Sequence, residues 1–344
     1  MKYCIGYQLP EDDEESLVDI VVEFREQIDE VYFPWLDMPS GRSPMAARNG
    51  AVNWEAQARL EADLAAFRNM GVRLDLLLNA SCYGARAVSR SLANLVCSVV
   101  AHLQDLGGLD VVTTTSPVIA GTVKANFPEV EVRASVNMRI GTVKGMQYVA
   151  HLFDSFYLQR EYNYDLQRIG ELKGWCDSAG KGLFLLANSG CLNFCSAQTF
   201  HDNLVAHEKE ADETRNLSDL PPALCWEFYQ RRENWPVLLQ GSWVRPEDVH
   251  HYEGLFPSMK LATRMHASPR RVIEAYCRET FDGNVLDLLE PGHGPLLVPF
   301  IIENAAFPED WFEKRTRCDK RCHACGYCAS VLQTVLQPTV DATA

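Results

Sequence analysis

Residues 72–115 read VRLDLLLNASCYGARAVSRSLANLVCSVVAHLQDLGGLDVVTTT. A short apolar run, Arg73–Asn79, precedes a stretch in which Val88, Leu92, Leu95, Val96, Val99 and Leu103 recur at helical spacing. A second run, Asp110–Thr114, follows. Gly107-Gly108 stops the helix, since a residue without a side chain takes the backbone geometry of a helix end at little cost. A nearly continuous apolar strand needs cover on both faces, so this strand–helix–strand unit belongs to a parallel sheet flanked by helices.

The same alternation extends in both directions. Further strand candidates are Tyr3–Gln8, Asp29–Phe33, Glu131–Ser135, Asp154–Leu158, Gly182–Ala187, Val237–Gln240 and Lys260–Thr263. With the first two, these make nine candidates for the eight slots of a closed (β/α)8 barrel. Val237–Gln240 is the weakest, because a Pro-initiated helix at Arg245-Pro246 follows at once. Asn53 caps a helix whose apolar stripe is Leu60, Leu64 and Phe67, ended by Gly71, and Ser268-Pro269 opens another that turns Val272 and Tyr276 inward. The expected fold is α/β: a TIM-like (β/α)8 barrel over residues 1–289, with a long polar loop at 196–235. A Pro-rich, then Cys-rich, C-terminal extension is expected over 290–344.

The chain has 344 residues, 47% of them hydrophobic, enough for a barrel-sized core. Its formal charge of −14 and lack of a Lys/Arg run speak against a nucleic-acid partner and for a small-molecule substrate or a protein partner. The N-terminus turns acidic without an apolar secretory segment, and the longest apolar run, Leu296–Ile302, is broken by Pro299. A cytoplasmic protein without a membrane span is expected. In a reducing compartment, twelve cysteines serve metal ligation better than disulfides.

The densest set is Cys318-x-x-x-Cys322-x-x-Cys325-x-x-Cys328. Four thiols so close in sequence suit a soft multi-thiolate centre, a 4Fe–4S cluster or a structural zinc knuckle. The first three share the spacing of the radical SAM motif, but that motif follows an early strand and this one follows the whole barrel. A second set lies at expected strand ends: Cys82 after Arg73–Asn79, Cys191 and Cys195 after Gly182–Ala187, and Cys225 beyond the long loop. Cys82, Cys176, Cys225 and Cys277 compete for the fourth place in such a centre. Cys4 and Cys97 read as small buried hydrophobes. Two centres would suit an electron relay from a partner protein to the substrate.

Chemistry in a barrel gathers at the C-terminal strand ends. Asn79, Ser135, Asn137, Arg160, Glu161, Asn163, Lys260 and Arg264 fall there. Arg160, Lys260 and Arg264 could clamp a carboxylate or phosphate, while Glu161 and His201 are candidates for proton transfer. A mere structural Arg160–Glu161 salt bridge is the competing interpretation. There is no HExxH and no GxSxG.

In order along the chain, GYQLPEDDEESL with IDEVYF, VRASVNMRI, LQREYNYDLQRI, NSGCLNFC with the distant Cys225, and WVRPEDVHHYEGLFPSMKLATR resemble segments of the peptidase family U32 proteins. The resemblance covers residues 1 to about 290 and implies a TIM barrel. Several members of that family bind a 4Fe–4S cluster and serve oxygen-independent hydroxylation, of ubiquinone precursors or RNA. It therefore implies an iron–sulfur-dependent oxidoreductase or hydroxylase for a small anionic substrate. The alternatives are a U32-type peptidase or hydrolase, and a non-catalytic electron-transfer or assembly subunit. The cysteine spacing differs from that of the best-known members, and the Cys318–Cys328 set is additional.

Overall fold

Eight short parallel strands pair in strict chain order, and the last pairs with the first. They are β1 (Tyr3–Gly6), β2 (Ile28–Pro34), β3 (Arg73–Leu78), β4 (Val111–Thr114), β5 (Glu131–Ala134), β6 (Ser155–Tyr157), β7 (Gly182–Leu186) and β8 (Met259–Lys260). The closed (β/α)8 barrel is TIM-like. The computed structural model describes residues 1–9, 15–36, 38–41, 53–214 and 223–339. Almost every strand residue is buried, because side chains pointing outward meet helices and those pointing inward fill the barrel. Register is direct through the middle of the sheet, with Asp75 opposite Val111 and Val111 opposite Glu131.

The helices follow from local chemistry. Between β1 and β6 lie α1 (Leu17–Glu23), α2 (Trp54–Asn69), α3 (Arg90–Asp105), α4 (Pro117–Asn126) and α5 (Val143–Val149). Asn53 Oδ1 accepts the N–H of Ala56 at 3.0 Å, and Ser89 Oγ accepts that of Leu92 at 3.1 Å. Because Ser89 is the cap of α3, Val88 falls before the helix and is 85% exposed, and Leu95 also faces outward, unlike the stripe expected from spacing. After β6 come α6 (Leu166–Ser178), α7 (Gln198–Ala206), α8 (Glu208–Thr214), α9 (Leu224–Tyr229) and α10 (Pro269–Arg278).

Two sequence expectations need correction. Residues 196–235 are not an open loop: α7, α8 and α9 occupy most of their described part. Polar composition concealed helix-forming residues, since Gln, Glu, Leu and Ala favour helix and neither Gly nor Pro interrupts 198–214. The expected strand Lys260–Thr263 begins earlier and ends at Lys260. Val237–Gln240, the surplus strand candidate, lies in a 3-10 segment, Arg232–Gln240, with Pro236 inside it.

The barrel interior is partly charged. Arg133 on β5 is wholly buried and donates to both Glu30 carboxylate oxygens, at 2.6 and 3.0 Å. Asp75 lies 3.8 Å away, and the Phe184 ring stacks 4.0 Å from the guanidinium. Removing one member of a buried ion network typically costs about 3–5 kcal/mol, because the remaining charge is stranded.

A second apolar core lies outside the barrel. Tyr229, Trp235, Leu239 and Trp243 pack with Leu286, Leu297, Ile302, Trp311 and Val335. Here α11 (Trp311–Thr316) and α12 (Tyr327–Val335) pack beside an antiparallel pair, β9 (Phe300–Ile302) and β10 (Leu336–Pro338). The Arg315 guanidinium, 7% exposed, clamps the carbonyls of Leu239, Gln240 and Gly241 and so anchors the extension to the chain leaving the β7 side. Among the described residues, no helix is long and apolar enough to cross a membrane.

Candidate active site

The C-terminal end of the barrel opens into a cavity of about 90 Å³. Its polar lining is Tyr32, Asn79, Asn137, Arg160, Ser189, Lys260, Arg264 and Glu290. Lys260 ends β8 and is 7% exposed, with Nζ lying 3.6 Å from the centre of the Tyr32 ring. Burial drives its pKa down from 10.5 to about 8, although Asp75 and Cys4 pull the other way. Arg160 is also 7% exposed, and its Nη2 has no hydrogen-bond partner. Burial opposes the Arg160 charge, but Cys191, Glu161, Asp202 and Cys195 outweigh it and raise the pKa. Asn79 Oδ1 accepts the Gly41 N–H at 2.9 Å, and Asn137 Nδ2 reaches the Asn79 carbonyl at 3.4 Å.

Other expected site residues have different surroundings. Ser135 is buried and caps the turn Val136–Met138, its Oγ accepting the Asn137 N–H at 3.2 Å. Asn163 is wholly buried; its Nδ2 donates to the carbonyls of Leu186 and Ser242, both at 2.8 Å, so it ties the chain together outside the cavity. Glu161 is 4% exposed, 3.8 Å from Arg160 Nε, with Oε2 unpartnered. Its backbone carbonyl accepts Lys320 Nζ at 2.9 Å, which brings the cysteine-rich tail against the mouth. Lys320 also lies over Tyr162 and Phe194, at 4.6 and 5.3 Å.

The thiols divide into three neighbourhoods. Cys191, Cys195 and Cys225 are half-buried, and burial first, then the neighbouring Cys191 and Cys195, pushes the Cys225 thiol up. The turn that carries Cys191 is held against the extension: Gly190 N–H donates to the Glu290 carbonyl at 3.0 Å, and a Cβ at Gly190 would lie 2.1 Å from the Pro291 oxygen. Cys318, Cys322 and Cys325 are exposed and Cys328 is half-buried, with the Lys320 N–H donating to Cys318 Sγ at 3.4 Å. Cys82 stands apart from both sets. It hydrogen-bonds His207, at the end of α7. His201 is half-buried six residues earlier in the same helix. Of the cysteines outside these sets, Cys4 and Cys176 are fully buried, while Cys97 and Cys277 are half-buried.

An uncharacterized protease of Methanocaldococcus jannaschii is 25% identical over 273 residues, covering 77% of this chain and 78% of that protein. A solved U32 peptidase superposes with a TM-score of 0.53 and 16% identity, over 75% of this chain and 91% of its own. The chain shares its barrel fold with that U32 peptidase. No protein-family model matches it.

In this barrel the sequence pointed to the cations at the mouth but not to Tyr32 or Glu290. Tyr32 lies within a strand, where an aromatic residue is ordinary core. Glu290 enters from the extension, paired through Ser189 at the end of β7. His207 stands near Cys195 in the sequence, but its partner in the fold is Cys82.

Proposed function

We propose that the chain is a U32-type hydrolase of peptide bonds, holding a carboxylate of its substrate in the cationic mouth of the barrel. The observation that carries this reading is the convergence of Arg160, Lys260 and Arg264, each under a tenth exposed, on one small cavity. Buried cations cost desolvation energy, and an anionic ligand with charge-assisted hydrogen bonds offsets that cost. Arg160 offers an unpartnered nitrogen and Lys260 an ammonium below about pH 8. The related archaeal protease supports peptide bonds as the scissile group. The test is hydrolysis of a peptide library by wild type and Lys260→Met. Cleavage that loses its preference for carboxylate-bearing substrates in the variant supports the proposal; no cleavage of any peptide ends it.

A second reading is iron–sulfur-dependent oxidoreduction of a small anionic molecule. It is favoured by the mutual proximity of Cys191, Cys195 and Cys225 and by Arg160 beside two of them. Thiolates near a guanidinium suit a soft metal centre. Yet among the described residues, no three or more His, Cys, Asp or Glu side chains are arranged to hold a metal ion, at this mouth or in the Cys318–Cys328 tail. As arranged here, these cysteines do not make a fitted site. Iron, acid-labile sulfide and zinc per chain in anaerobically purified protein separate a 4Fe–4S centre from a zinc knuckle at the tail and from free thiols.

A further inference from the structure

We infer that Cys82, His207 and Glu210 form a thiol nucleophile site at the rim of the barrel mouth, able to carry the acyl group in peptide-bond hydrolysis. Its substrate class rests on the hydrolase proposed above; its thiol chemistry does not. Cys82 lies three residues beyond Asn79, whose side chain lines the cavity. His207 comes from the crossover after β7, which stands four places from β3 in the closed strand order. That crossover therefore spans the mouth, and the Arg139–Asp202 ion pair at 3.3 Å holds α7 against the loop after β5.

The local geometry is that of an activated thiol. His207 Nδ1 lies 3.1 Å from Glu210 Oε2, which leaves Nε2 for the hydrogen bond to Cys82. The Gly84 N–H donates to Cys82 Sγ at 3.3 Å, a bond that favours a sulfur anion. Gly84 has φ +55°, and a Cβ there would sit 3.4 Å from His207 Cε1, so the turn lets the ring lie close over it. Cys82 is half-buried, shielded yet reachable. The His207 hydrogen bond, then the Gly84 N–H, hold the Cys82 pKa below its ordinary value against partial burial and the Glu210 charge, and the His207 pKa is raised in turn.

The reaction balances without an oxidant. The Cys82 thiolate attacks the peptide carbonyl carbon; a C–S bond forms, the C–N bond breaks, and the proton held by His207 passes to the leaving amine. Water then attacks the thioester and gives its proton to His207. The C–S bond breaks, and the acid product and the thiolate–imidazolium pair are left.

The test uses the full chain. Iodoacetamide labelling at about pH 6, followed by peptide mass spectrometry, compares Cys82 with Cys322, which is exposed but whose pKa is raised. Cys82 should react about tenfold faster or more, and His207→Ala should remove the difference. Peptide hydrolysis is measured beside it: Cys82→Ala and Cys82→Ser should lower kcat by about a thousandfold or more. Equal labelling rates, or an advantage that survives His207→Ala, overturn the inference, as does full hydrolysis by Cys82→Ser. In that last case the hydrolase reading stands. A reactive, His207-dependent Cys82 in a chain that cleaves no peptide upholds the thiol site and overturns the hydrolase reading instead.

Discussion

Cys82 and Cys225 both serve the mouth end of the barrel, one in the loop after β3 and the other in the long crossover after β7. Cys82 faces an imidazole and a backbone N–H, and its pKa falls. Cys225 lies in a drier place, beside two other thiols, and its pKa rises. The residue type is the same; what differs is first burial, and then what the neighbours can offer. A thiol beside a proton acceptor becomes a nucleophile, whereas thiols beside thiols resist ionising until something cationic joins them.

The largest expected effect breaks this comparison outright. Cys82→Ala should lower kcat/KM for peptides by about a thousandfold, while Cys97→Ala, within α3 and outside the cavity lining, should leave it within about twofold. If both variants cleave like wild type, the contrast between the thiols has no catalytic meaning. Next comes the shared scaffold. Arg133→Met should destabilise the fold by about 3–5 kcal/mol in urea titration, stranding Glu30 and Asp75 in the barrel interior. A loss below about 1 kcal/mol would mean that the interior relaxes or admits water at little cost.

Smaller effects sharpen the role of the cations. Lys260→Met should raise KM for carboxylate-bearing peptides by about 10–100-fold with Cys82 labelling unchanged, which separates binding from thiol activation. The pH dependence has a definite sign. Lys260 is an ammonium below about pH 8 and loses its charge as pH rises through that value, so KM should climb there in wild type and stay flat in Lys260→Met. The smallest effect concerns the turn under His207. Gly84→Ala forces a non-glycine residue to φ +55° and should cost about 1 kcal/mol in thermal melts, with a several-fold slower Cys82 label. An unchanged labelling rate would show that the ring does not need that close approach.

Much of the fold was legible because strand and helix periods act locally. Arg73–Leu78 and Val111–Thr114 are apolar for reasons visible in their own residues, and Val237–Gln240 was the weakest candidate because a Pro-initiated helix follows it. Lys260, Arg264 and Arg160 could be placed at the mouth because a barrel presents its strand ends on one face. Asn163 occupies the same kind of position, yet its side chain turns to the carbonyls of Leu186 and Ser242, a choice made by unsatisfied backbone groups elsewhere in the chain. The stretch 196–235 looked like a loop because polarity masks helix propensity when no apolar stripe marks a buried face.

The sequence by itself determined the alternation of strand and helix, the barrel it implies, and the cations that crown it, since each follows from burial patterns a few residues long. Only the tertiary structure decided which partner each thiol meets. His207 reaches Cys82 because β7 and β3 stand across a closed barrel and the crossover helices bridge them. Lys320 reaches Glu161 because Arg315 pins the extension over the same end. Such meetings depend on how the barrel closes and how its long crossovers fold back, and residues far apart in the chain carry no local pattern that announces them.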